Sequence, residues 1–400
     1  MKKINFFVFA GIFALIWACQ SDMPEPLTED GPGWQLTYEE ETLLNSSNEM
    51  TFNLLHFLEN KYEDNNIFFS PVGIGNGVGI ALNVINDESN LDLKKFLEIE
   101  EVSNIEVNKA YSRLSDLFGK NGTNNYFTNA NSLWLNYNYT LNKGTSNQLM
   151  AYYSADVEYL DFDKSKHIRA IDNWANRRTH GDINSIIKVL NPRDESYLIN
   201  LMKLNPDWTF AVKTERADLL LFTDGKGNEK SVPALKLAAG QYKMYESESL
   251  RLIDIPYGEY KFRFTVVQTT ENNAEIMLKK LNKDTFFGYL NEAKFMLAEI
   301  TIPEFKIEHE LKLKEVFPKL VLDNSNTEEP NADINSISEF IHKSTIHVHG
   351  GKNDNTDLQN EESTVLTNYN NPINVDRPFI FFIREKVTGA IIFAGKVNNP

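Results

Sequence analysis

Residues 337–348 (ISEFIHKSTIHV) and 376–400 (DRPFIFFIREKVTGAIIFAGKVNNP) bracket a polar stretch, 350–371, and these three pieces decide how the rest of the chain is read. The first reads as a helix end passing into a strand, with Ile346 and Val348 on one face. The second reads as a buried hairpin, two apolar runs on either side of a Thr388-Gly389 turn. The stretch between them has no apolar periodicity. A compact domain rarely carries so long a structureless connection unless the connection is itself the functional part.

The flanking motifs IHKSTIHV, DRPFIFFIR and IIFAGKVNNP, in that order and at that spacing, resemble the C-terminal signature of serpins, the peptidase inhibitors with an exposed reactive loop between two such strands. The resemblance implies an α+β fold of three β-sheets with about eight or nine helices. It implies no catalytic machinery of the chain's own. It continues upstream. NIFFSP (66–71) is the family's opening of a second helix, and Asn66 and Ser70 match positions of its shutter, the polar cluster beneath the main sheet. SYLINLMKLNPDWTF (196–210) is similar to the next strand of that sheet and to the breach, where a loop begins to insert. Asn200 matches a further shutter position, Trp208 the breach tryptophan and His342 the shutter histidine that pairs with Asn200 and Ser70. FTDGKGNEKSVPALKL, LRLIDIPYGEYKFRFTVV and ITIPEFKIEHELKLKEVF follow the family order strand by strand, so one domain is expected over residues 37–400. The family's Thr-x-x-Gln segment is not visible in INDESNLDLKKF (85–96), a departure that bears on the local helix and not on the fold.

Composition agrees with a soluble domain with a large core: 400 residues, 42% hydrophobic and 24% charged. The formal charge of −16 argues against a nucleic-acid partner. A monomer is expected. At the N-terminus, Lys2 and Lys3 precede INFFVFAGIFALIWA, a run too short for a spanning helix and shaped like a signal peptide. It ends at Cys19, the only cysteine, and Ile16, Trp17 and Ala18 before it resemble a bacterial lipobox. Residues 1–18 are read as a lipoprotein signal peptide and 19–36 as the lipidated cysteine with a flexible Pro/Gly/acid tether. An ordinary signal peptide with an incidental cysteine is the plain alternative. The lipid reading gives an exported protein anchored to the bacterial envelope, facing periplasm or exterior. Gln20 after the cysteine favours the outer membrane.

Between these ends, a first helix is expected over about 38–63, with Met50, Leu54, Phe57 and Leu58 at helical spacing. Gly73, Gly75, Gly77 and Gly79 weaken the second helix intrinsically, by about 1 kcal/mol each relative to alanine. They read as close helix–sheet packing rather than a phosphate loop, because no phosphate-binding lysine follows. NYFTNANSLWLNYNYTL (125–141) alternates like a strand of the main sheet. IRAIDNWANRRTHGDI (168–183) reads as a helix with Ile168, Ile171, Trp174 and Ala175 on one side, and Arg177 and Arg178 on a solvated face or a polyanion site.

No Gly-x-Ser-x-Gly, His-Glu-x-x-His or Gly-x-x-x-x-Gly-Lys motif is present, so an enzyme is not expected. No cofactor is implied. His347 and His349 share a strand face, but a zinc site there would need a third ligand that the sequence does not identify.

The resemblance implies a mechanism in which a target peptidase cleaves the loop and the loop inserts as a strand of the main sheet. Family hinges are built of small residues. Aligned from His342, this hinge runs Gly351, Lys352, Asn353, Asp354, Asn355, Thr356, Asp357, and its inward set is Asn353, Asn355, Asp357 and Gln359. An unpartnered buried polar group costs roughly 1–3 kcal/mol and a carboxylate more. Two functions therefore stand side by side: a suicide-substrate inhibitor of a serine or cysteine endopeptidase, and a non-inhibitory serpin-fold binding or structural protein at the cell surface. For the inhibitor, counting from the flanks puts the scissile bond near Leu366 and Thr367, in a window that includes Val365 and Tyr369. No Lys or Arg lies between 353 and 374, so the target is not trypsin-like.

Overall fold

The computed structural model describes residues 35–62, 65–85, 87–119, 127–209, 212, 218–258, 260–269, 278–316, 332–334, 336–350 and 372–400. Cys19, the hinge 351–357 and the scissile window 365–369 lie outside them. The compact unit runs from Leu36 to Pro400.

Helix α1 (Tyr38–Lys61) starts at a capping box in which Thr37 and Glu40 exchange hydrogen bonds. A three-residue strand, β1 (Ile67–Phe69), leads to α2 (Pro71–Ala81), whose N-cap is Ser70 and whose first residue is proline. Every residue of α2 is buried. A Cβ on Gly75 or Gly79 would run into Tyr111 or Tyr153, and one on Gly77 into the Phe340 ring, so the glycines do serve close packing. Helix α3 (Asp87–Phe96) forms where the family segment was not visible, and α4 (Asn104–Gly119) follows.

Next come β2 (Phe127–Asn136), β3 (Tyr139–Thr140), α5 (Lys143–Tyr153), β4 (Asp156–Leu160), α6 (Ile168–Arg178) and β5 (Ser196–Leu204). The C-terminal half adds β6 (Asp218–Thr223), β7 (Glu229–Glu246), β8 (Leu250–Tyr257), β9 (Phe262–Thr269), β10 (Lys294–Pro303), β11 (Phe305–Lys312), β12 (Ala332–Asp333), β13 (Glu339–Val348), β14 (Ile373–Asn374), β15 (Phe379–Glu385) and β16 (Ile391–Val397), with helices Lys283–Glu292 and Leu313–Val316. The expected helix end before β13 is not there: Ser336 to Ser338 are irregular and the strand opens at Glu339. The Ser338 hydroxyl accepts the Glu195 and Ser196 N–H groups, so this segment is held by the start of β5 rather than by helical bonds.

Among the described residues, hydrogen bonding makes a nine-stranded sheet, a five-stranded sheet and a two-stranded ladder. The five-stranded sheet has the order β11-β13-β5-β2-β4. Two large core clusters lie beneath it, and a third, smaller one packs α6 on its outer face through Ile171, Trp174 and Ala175 against Trp134, Tyr197, Ile199, Leu201 and Ile341. In the nine-stranded sheet both strands of the β15–β16 hairpin are buried throughout, and the turn between them includes Gly389, whose φ of +70° suits glycine.

Candidate functional site: the β5–β13 seam and its polar cluster

β13 and β5 are direct neighbours in parallel register, from Glu339 opposite Tyr197 to Ile346 opposite Leu204. Along this seam the side chains alternate. Phe340, His342, Ser344 and Ile346 from β13, with Leu198, Asn200, Met202 and Leu204 from β5, are buried at or beneath the sheet. Ile199, Leu201 and Ile341 join the outer core under α6.

At the middle of the seam the buried groups are polar. His342 Nδ1 lies 2.7 Å from Asn200 Oδ1, and the Ser70 backbone N–H donates to His342 Nε2 at 3.0 Å. Together the two bonds assign the tautomer: Nε2 accepts, so Nδ1 carries the proton and donates. Burial, with a smaller contribution from His309, pushes His342 down to about 3. The imidazole is therefore neutral at ordinary pH. Asn200 Nδ2 donates to Asn129 Oδ1 at 3.0 Å and Asn131 Oδ1 at 2.8 Å. The Ser70 hydroxyl donates to the Ile392 carbonyl at 2.6 Å and caps α2 by accepting the Gly73 N–H. Ser344 Oγ donates to the Phe68 carbonyl at 3.0 Å. Gly73 is needed because a Cβ there would run into Asn200 and stand 2.5 Å from Met202 Cγ and 3.0 Å from His342 Cε1.

Ser70, Asn200 and His342 are thus brought together, joined by Asn129, Asn131 and Ser344. These last three were legible only as polar residues at alternate positions in otherwise apolar strands. Asn66 is a correction. Its side chain accepts from the Asn398 and Asn399 N–H groups and donates to the Asn399 carbonyl at 2.7 Å, so it clips the C-terminal segment to the start of β1 and takes no part in the cluster. Its amide is consumed by an adjacent backbone before it could reach the seam.

Trp208 lies past the end of β5. It is buried, bridges to Tyr257 and packs on the rings of Tyr257 and Phe264, 4.7 and 5.4 Å away. Beyond the end of β13, Gly350 N–H donates to Glu304 Oε1 at 3.2 Å. Glu304 thus holds the last described residue before the loop, a role with no sequence signal. The His347 and His349 rings lie 4.3 Å apart, and no set of three metal-capable side chains is found among the described residues. Arg178 is bound to Asp156, which also accepts from Trp174 Nε1 at 2.6 Å, so this arginine is structural.

The five-stranded sheet thus sets two parallel neighbours over a polar cluster, and the chain passes from one of them, β13, to β14. The family model described as "Serpin (serine protease inhibitor)" matches residues 45–400, and the chain belongs to the serpin family. It is 23% identical over 379 residues to a serpin-like protein of Thermococcus kodakarensis, covering 90% of this chain and 87% of that one. It is 24% identical to Iripin-2 of Ixodes ricinus, covering 90% and 94%. Among solved structures, native protease nexin-1 with heparin matches with a TM-score of 0.75 at 17% identity, covering 90% of this chain and 99% of that one.

Proposed function

We propose that this chain is a serpin-type inhibitor that traps an extracellular or periplasmic serine endopeptidase as a suicide substrate; a cysteine endopeptidase would suit the same mechanism. The observation that carries this reading is the seam. β5 and β13 are bonded to each other, and β13 continues into the 350–372 connection. A strand supplied by that connection would run antiparallel to both and complete two ladders in place of one. In this reading the peptidase's nucleophile attacks the carbonyl at a bond near Leu366 and Thr367, the new amine leaves, and an acyl-enzyme forms. Insertion then carries the acyl-enzyme away and distorts it before water can cleave the ester. This chain contributes the substrate and the rate of insertion.

The polar hinge favours the non-inhibitory reading, because Asn353, Asn355, Asp357 and Gln359 would enter beneath the sheet. Against this, parting the seam would release His342 Nδ1 and Asn200 Oδ1 from each other, one donor and one acceptor for polar arrivals. Thermal unfolding before and after nicking with a chymotrypsin-like peptidase separates the two. Inhibition predicts an SDS-resistant complex and a rise of roughly 10 °C or more in the melting temperature. Cleavage with neither would give the non-inhibitory reading its place. A stable complex with trypsin, cleaved inside 365–369, would overturn the assignment of the target class.

We further propose export and lipid anchoring through Cys19. The Cys19→Ser protein should leave the membrane fraction, and its retention there would overturn the anchor.

A further inference from the structure

The start of β10 breaks the burial rule that the rest of the sheet keeps. Lys294, Phe295, Met296 and Leu297 are all exposed, and burial begins only at Ala298. The three apolar side chains are 51%, 49% and 46% exposed and belong to none of the core clusters. Leu219 and Leu221 of β6 are exposed too, but they alternate with the buried Leu220 and Phe222, as one face of a strand does. Three consecutive exposed apolar residues have no such packing reason. The backbone there is also open on one side. Positions 294–298 pair with β7 from Met244 to Gly240, whereas β14 meets β10 only at Ile300 and Thr301. Among the described residues no strand lies along the outer edge of 294–298. An apolar edge of this kind invites association, and Lys294 is the one charge set against it.

The length of the chain bounds what comes close to this edge. Ile373 of β14 lies beside Ile300. Thr367 precedes Ile373 by six residues, so the scissile bond assigned above stands within about 22 Å of it, however the connection runs. Phe295 to Leu297 precede Ile300 by three to five residues, about 10–17 Å along the strand. A peptidase of about 230 residues is about 45 Å across, so the ridge lies within one such diameter of the bond. We propose that Phe295, Met296 and Leu297 form a second contact for the target peptidase, received by an apolar patch beside its active-site cleft. The contact rests on the reading of the loop as a peptidase substrate and adds a selector to it. The loop supplies the bond that is cut; the ridge chooses among the peptidases able to cut it. Because it is remote from the reacting atoms, it holds ground state and transition state alike, and so acts on binding and not on the chemical step.

Single-turnover nicking of the purified protein with chymotrypsin in excess tests the contact, with cleavage between 365 and 369 followed by mass spectrometry. Phe295→Ser with Leu297→Ser should raise the half-saturating peptidase concentration about five-fold or more and leave the limiting rate unchanged. Phe295→Leu with Leu297→Met keeps an apolar ridge and should stay within about two-fold of the parent. The denaturation midpoint should not move in either variant, because the side chains replaced are half exposed. An unchanged half-saturating concentration, or a loss in the limiting rate alone, would overturn the contact. So would a parent dimer in light scattering that the serine variant converts to monomer, which assigns the ridge to a second copy of this chain. No cleavage between 365 and 369 would overturn the contact together with the placement of the bond. The expected shift without an SDS-resistant complex would sink the inhibitory reading and leave the contact standing, because nicking precedes insertion.

Discussion

Two largely buried strand pairs of this molecule are built on opposite principles. β15 and β16 are antiparallel, joined by a tight turn, and packed by aromatic rings against the neighbouring strands β9 and β1. Phe381 stacks on Phe264 at 5.3 Å, and Phe393 on Phe68 at 5.1 Å, with interplanar angles of 9° and 6°. β5 and β13 are parallel, their paired residues Asn200 and His342 stand 142 positions apart in the chain, and side-chain hydrogen bonds hold the middle of their interface. Separating the hairpin would expose apolar surface and leave a void. Separating the seam exposes groups that another polar strand could satisfy. The difference teaches where this fold is held by apolar packing and where the proposed insertion would have to act.

The comparison can be broken at either end. Phe381→Ala should have the largest effect, a loss of about 3–5 kcal/mol of stability in denaturant titration, because rings from three other strands close around it. Loop insertion in the surviving folded protein should be unaffected; a selective change in insertion would mean that the two regions are coupled. Gly73→Ala should cost about 1–3 kcal/mol by forcing Asn200 and Met202 aside, and it should also speed insertion. Equal insertion rates would show that the cluster does not hold the seam.

Acidity gives a finer test. Above pH 6.5 His342 is neutral in both the folded and the unfolded chain, and its full contribution to stability is present. Between about 6.5 and about 3 the unfolded chain takes a proton that the folded imidazole refuses, so stability falls as pH falls. Below about 3 the loss is complete. His309, also lowered by burial, acts in the same direction. Denaturation midpoints should therefore decline from pH 7 to pH 4, with a shallower slope in His342→Gln; an unchanged slope would place the titration elsewhere. Smallest is Ser344→Ala, which removes one hydrogen bond to the Phe68 carbonyl and should cost about 1 kcal/mol. A larger loss would show that Ser344 supports the whole cluster.

Much of the fold was legible without coordinates. The hairpin follows from two apolar runs and a Thr-Gly turn, and α2 from a serine cap followed by proline. The glycines of α2 announced close packing, although not which rings they meet. The site was legible only in part. Ser70, Asn200, His342 and Trp208 could be named from motif matches, but Asn66 matched equally well and lies outside the cluster. A buried polar residue on a strand resembles a solvent-facing one until the opposite face is known, so Asn129, Asn131 and Ser344 carry no signal of their own in the sequence. The helix end expected before β13 failed for a related reason: Ser338 is held by Glu195 and Ser196, partners far away in sequence.

What the sequence determined by itself is local: the turns, the caps, the alternation within each strand and the polar character of the long connection. These follow from the conformational preferences of neighbouring residues. Tertiary structure alone decided that β5 lies beside β13, and that an imidazole from one meets an amide from the other over the N-terminus of α2. Such meetings depend on the register of strands far apart in the chain, where the free energy of pairing belongs to the whole sheet and not to any one segment of it.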